Sequence, residues 1–133
     1  MTDLLKFSIP GKPEYVGVVR LAASSVANRA GFDVEAIEDI KVAVAEACNN
    51  AILHGISDNC CNYEIAFTLD EKKLTIAIDD NGKGYDIGNY QEPDLANPKE
   101  GGLGIFIIRA LMDEVQINSN TGKGTTITMT KYI

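Results

Sequence analysis

The stretch from Asp33 to Gly55 constrains the fold more than any other part of this chain. Ile37, Ile40, Val44, Ala47 and Ala51 recur at about 100° per residue, the period of one long amphipathic helix. Asp33 is placed to cap that helix and Gly55 to stop it. Glu46, Asn50 and His54 fall at i, i+4 and i+8, so they stack as a polar column. The column stands about 110° round from the centre of the apolar face, at the half-buried edge of a core. A carboxylate and an amide held at that edge invite a binding site.

The remaining elements are short. Leu4 to Ile9 reads as a first strand stopped by Pro10-Gly11. Pro13 stands where a helix can begin, and Val19, Ala22, Ala23, Val26 and Ala30 carry helical spacing to a stop at Gly31. Tyr63 to Leu69 and Lys73 to Asp79 alternate around the turn Asp70-Glu71-Lys72, a hairpin. Residues 81–102 are rich in Gly, Asn, Pro and Asp, and a loop of that length is usually functional. Leu103 to Met112 is a short helix, followed by a second hairpin of Val115 to Asn118 and Thr125 to Lys131. The order β-α-α-β-β-α-β-β predicts an α/β fold of the α+β two-layer sandwich kind. Its sheet is mixed and mainly antiparallel, covered by helices on one face. No repeat or linker divides the chain, so residues 1–133 read as one domain.

Composition removes several functions. Twelve Lys and Arg against nineteen Asp and Glu leave a net charge of −7, without the basic stripe that direct nucleic-acid binding needs. A single nucleotide asks only for a local site and stays open. The three cysteines, Cys48, Cys60 and Cys61, are odd in number with two adjacent, which suits no disulfide framework. No leader precedes Phe7 and no run of about 18 apolar residues occurs, so the expectation is a cytoplasmic protein with no membrane partner. One histidine, His54, is too few for a histidine-rich zinc enzyme, and vicinal cysteines at irregular spacing make poor zinc ligands.

The glycines fit no common phosphate or calcium motif. No Gly-Lys-Ser/Thr completes a P-loop, and Ile87, Ile107 and Ile127 stand where the third dinucleotide-motif glycine belongs. A calcium loop starting at Asp79 would put Lys83 and Tyr90 at ligand positions. What remains is four blocks in order: Glu46-x-x-x-Asn50, Asp80-Asn81-Gly82-Lys83-Gly84, Gly101-Gly102-Leu103-Gly104 and Gly124-Thr125.

In that order the blocks resemble the ATP-binding fold shared by gyrase, the mismatch-repair protein MutL, a heat-shock chaperone class and sensor histidine kinases. The chain is most similar to the stand-alone anti-sigma-factor serine kinases of bacterial sporulation and general stress response. Glu46 through Gly55, Glu100 through Gly104, Leu111 through Val115 and Met129 through Tyr132 carry the likeness. The resemblance implies ATP or ADP with Mg²⁺ as ligands, with a sigma factor, an anti-sigma-factor antagonist and a second copy of the chain as partners. It implies Glu46 as the catalytic base, Asn50 as metal and nucleotide ligand, and Asp80, Gly82, Gly84 and Thr125 on the adenine side. Gly101, Gly102, Leu103 and Gly104 would form the phosphate lid, and Arg20 would touch the antagonist.

The chemistry agrees. An amide oxygen suits Mg²⁺, and a carboxylate one turn away can take a hydroxyl proton. An aspartate can accept adenine's exocyclic amine, glycines admit a flat base, and a helix N-terminus favours phosphate. Plainer roles remain beside these. Asp80 also fits a turn cap, Thr125 a β-branched strand residue, and Arg20, Lys99 and Arg109 solvated surface. His54 fits a satisfied side chain near a helix end, the glycine block a hinge. Two rival functions share the pocket: an ATP/ADP-gated binding regulator without kinase activity, and the catalytic domain of a sensor histidine kinase. The second is disfavoured because the chain opens on its own strand and shows no separate phosphoacceptor helix.

Overall fold

A computed structural model describes residues 2–55, 62–80, 102–120 and 124–133. Strand β1 (Asp3–Pro10) leads through a 3-10 turn at Pro13–Tyr15 into α1 (Val16–Ala30) and then α2 (Val34–Gly55). Strands β2 (Asn62–Leu69) and β3 (Lys73–Asp79) follow, then α3 (Gly102–Leu111), β4 (Glu114–Asn120) and β5 (Gly124–Tyr132). The predicted order of elements is the observed one. Pro13 opens the 3-10 turn, so α1 begins three residues later than the proline placed it. Asp33 caps α2 as its position suggests, accepting the Ala36 N–H at 2.8 Å. Asp70 organises the β2–β3 turn by accepting the Lys72 and Lys73 N–H groups at 2.7 and 2.9 Å. The Lys72 N–H leads in holding its carboxyl below the usual carboxylate range.

The sheet runs β1-β2-β3-β5-β4, and every described pair is antiparallel rather than mixed. The reason lies in the second hairpin. After β3 the chain crosses over α3 to the sheet edge as β4, and β5 then folds back into the gap between β4 and β3. Because β4 runs in the same direction as β3, a strand antiparallel to β4 in that gap is also antiparallel to β3.

Period-2 alternation sorts the two faces. Tyr63, Ile65 and Phe67 of β2, Leu74, Ile76 and Ile78 of β3, and Ile127 and Met129 of β5 point to the core. Above them lie Val19, Ala23 and Ala27 of α1, Ile40, Val44 and Ala47 of α2, and Ile108 of α3. Alanines at the helix crossing let α1 and α2 approach closely, and α2, packed on α1, α3, β3 and β5, is the hub of the domain. Among the described residues, no helix is long and apolar enough to cross a membrane.

Candidate functional site

Helix α2 presents the polar column at the rim of the core. Glu46 is half-buried and Asn50 is only 8 % exposed. The column sits deeper than rotation about α2 alone predicts, because α3 packs along this side of the helix. The His54 side chain lies outside the described residues.

The contact between α2 and α3 depends on a missing side chain. A Cβ placed on Gly104 would stand 3.1 Å from Glu46 Oε2, so the glycine leaves the notch that the carboxylate faces. Gly102 is the first residue of α3 and Leu103 is half-buried, while Ile105 and Ile108 anchor the helix in the core. The first turn of α3, with its unpaired N–H groups, therefore starts beside the Glu46 carboxylate. Of the remaining glycines predicted for the site, Gly82, Gly84 and Gly101 lie outside the described residues.

Asn50 carries an unmet hydrogen-bonding need. Its Nδ2 is buried and has no hydrogen-bond partner among the described residues. Burying a polar group unpaired costs about 1–3 kcal/mol, and protein interiors seldom leave one without a reason.

A second cluster lies under α2, where β3 ends and β5 begins. The Asp80 N–H donates to the Thr125 carbonyl at 3.0 Å, and Asp80 Oδ1 accepts the Thr125 N–H at 3.2 Å. Both residues are 3 % exposed. Gly124 makes the approach possible: its φ of 89° is in the left-handed region that side chains avoid. Thr125 shares the core-facing side of β5 with Ile127 and Met129, so it looks toward the helix layer. Its hydroxyl lies 2.8 Å from that of Ser119 on β4.

Sequence reasoning passed over Ser119. The signal was available in the hairpin register: a strand pair closing around residues 120–124 sets Ser119 opposite Thr125.

Arg20 stands apart from both clusters, exposed on α1. Cys48, two residues from Glu46, is enclosed in the core, and burial pushes its thiol up to about 12. The facing Tyr63 hydroxyl is likewise pushed up, first by burial and then by Cys48, without a well-directed hydrogen bond between them. The donor set suits a hard cation and an anionic ligand: an amide with an unmet hydrogen-bonding need, a carboxylate, and a helix N-terminus.

Comparison with known proteins gives the family and the fold. Residues 9–131 match the family model of the histidine kinase-like ATPase domain. The chain is 45 % identical to the serine-protein kinase RsbW of Oceanobacillus iheyensis, over 98 % of this chain and 87 % of that one. It is 40 % identical to the serine-protein kinase RsbW of Bacillus velezensis, over 98 % and 86 %. In fold alone, it is similar to the RsbU and RsbW domains of a Mycobacterium tuberculosis protein. The TM-score is 0.73 at 21 % identity, over 97 % of this chain and 32 % of that one. A histidine kinase domain from Erythrobacter litoralis gives a TM-score of 0.60 at 23 % identity, over 92 % and 61 %.

Proposed function

The chain belongs to the RsbW serine-protein kinases, built on the histidine kinase-like ATPase domain, and we propose from that premise how its residues carry the reaction. It is an ATP-dependent protein serine kinase that acts as an anti-sigma factor. The nucleotide lies between α2 and the first turn of α3, with its phosphates at the α3 N–H groups. Asn50 would offer its amide oxygen to Mg²⁺, and the bound ion would supply neutralisation of the charge that builds during transfer. Glu46 accepts the proton of the attacking serine hydroxyl, and the notch at Gly104 holds its carboxylate for that step. Asp80 and Thr125 take the adenine end, with Gly82 and Gly84 admitting the flat base.

The serine belongs to an anti-sigma-factor antagonist. Arg20, exposed on α1, offers that partner a positive charge. The same protein sequesters a sigma factor, works as a homodimer in the cytoplasm, and touches no nucleic acid itself. The observation that carries the site assignment is the Glu46 carboxylate facing Gly104, one turn from Asn50, whose buried Nδ2 has no hydrogen-bond partner among the described residues.

The test uses labelled ATP and the antagonist-type proteins of the same genome. Wild type should place phosphate on serine, and Glu46→Gln should lower the rate at least about a hundredfold, within the range for a general base removed. Its ATP affinity should stay within about threefold, because the carboxylate is neutralised rather than removed. Transfer surviving in Glu46→Gln would remove Glu46 from the mechanism.

A further inference from the structure

We propose that Ser119 is a positioning residue for the base: acting through Thr125, it sets which purine the site accepts. The inference rests on the nucleotide assignment above and adds a residue to it.

Three bonds converge on Thr125. Its N–H and its carbonyl are both tied to Asp80, and its hydroxyl is tied to Ser119 at 2.8 Å. At 3 % exposure the residue has little room, and a β-branched side chain has few χ1 choices. The direction of one O–H bond is the freedom that remains, and Ser119 governs it.

The surroundings set this pair apart from an ordinary hydroxyl contact. Along the core-facing side of β4 and β5 the facing pairs are Val115 with Met129 and Ile117 with Ile127, both apolar. The next pair on that side is Ser119 with Thr125, so the face turns polar beside Asp80. Hydroxyls spent here, below α2, face the same layer as the Asn50 amide.

The two hydroxyls share their protons in one of two orders. With Ser119 donating into Thr125, the Thr125 proton points outward and the site presents a donor next to the Asp80 carboxylate. Adenine offers the complement: an amine that donates to a carboxylate and, adjacent to it, a ring nitrogen that accepts. Hypoxanthine reverses both, with a carbonyl for the amine and a protonated ring nitrogen. Ser119 therefore acts on the choice of base, whereas Glu46 and Asn50 act on phosphate and metal.

The experiment measures Kd for ATP and for inosine triphosphate with Mg²⁺ by calorimetry, on the whole chain. Ser119→Ala should raise Kd for ATP about three- to tenfold, the effect of removing one hydrogen bond, and shift that for inosine triphosphate less than about twofold. Thr125→Val should do the same, and the double variant should add less than about twofold to Thr125→Val, as coupled residues require. Equal losses for both nucleotides, no loss, or additive losses would overturn the proposal. Should Ser119→Ala not fold, Ser119→Cys supplies a weaker donor at the same place and should lower the ATP preference in the same sense. An unchanged preference there would also overturn it. A wild type that binds neither nucleotide would sink the nucleotide assignment itself, a result distinct from wild-type binding that ignores Ser119.

Discussion

Replacing Gly104 by alanine separates the chemistry of the site from the stability of the fold. The new Cβ would stand 3.1 Å from Glu46 Oε2, a few tenths of an ångström inside ordinary contact. Gly104 is helical, with no positive φ, so alanine gains up to about 1 kcal/mol of helix propensity there. The obstructed atom is the end of a flexible side chain, and turning it aside costs about 0.5–1.5 kcal/mol. These opposing terms nearly cancel, so Tm should move by less than about 4 °C for a chain of this size. Catalysis has no such offset. Misplacing a catalytic group by about 1 Å can cost about a hundredfold, so a shift of a few tenths should lower kcat about tenfold, or ~1.4 kcal/mol. The assay is steady-state phosphoryl transfer from labelled ATP, with kcat, KM for ATP and Tm read on the same preparations. KM should change less than about threefold. Glu46→Asp draws the carboxylate back by one methylene, and on that background Gly104→Ala should cost less than about twofold. An unchanged kcat at unchanged Tm would refute the role of the notch. A large fall in Tm together with abolished ATP binding would show that Gly104 serves α3 packing instead.

Two further tests probe buried polar groups. Asn50→Ala should weaken ATP binding at least about tenfold, the worth of one charge-assisted hydrogen bond, and remove its Mg²⁺ dependence. It should lower the Tm of the nucleotide-free protein by no more than about 2 °C, because relief of the buried Nδ2, which has no partner among the described residues, offsets the cavity left by the side chain; a fall beyond about 6 °C would mean the amide is structural. Cys48 and Tyr63 should make the fold sensitive to alkali. Folding raises the Cys48 thiol from 9.0 to about 12 and pushes the Tyr63 phenol above 10.0, so the folded state holds both protons more tightly. Their contribution is complete below about pH 9 and is lost as pH rises through the raised values. Urea melts should weaken from about pH 9 upward, Cys48→Ala with Tyr63→Phe should flatten that slope, and native Cys48 should resist alkylation at pH 8. A slope unchanged in the double variant would refute the assignment.

What was legible in the sequence was local. Helix α2 and its Asp33 cap depend on a period and a side chain within one turn, and both stand as spacing predicts, while Asn50 of the polar column lies deeper than the period alone places it. The Asp70 turn and both hairpins are equally local. Strand ends were less legible. Strand β4 runs from Glu114 to Asn120, beyond the expected Val115 to Asn118, since ladder hydrogen bonds need no apolar side chain to continue. The antiparallel β3–β5 pairing was not legible, because it joins strands across the whole 80–124 segment. The same holds for the reciprocal bonds of Asp80 and Thr125. Their types and flanking glycines suggested a shared role, but nothing within 45 residues of sequence separation says that they touch.

The site works against the fold that carries it. With no partner among the described residues, the buried Asn50 Nδ2 withholds about 1–3 kcal/mol, whereas at Gly104 helix propensity and the displaced Glu46 carboxylate nearly cancel. The Asn50 term alone is a sizeable part of the about 5–15 kcal/mol by which native domains exceed their unfolded chains. Selection for stability alone would replace Asn50 by an apolar side chain. Its presence at the α2–α3 contact is understandable where a ligand supplies the missing partner. Such a ligand then stabilises the folded state by mass action, about 2.7 kcal/mol at a hundred times its Kd. The gain should be largest in wild type and least in Asn50→Ala. The polar rim of α2 is thus where binding and folding are coupled.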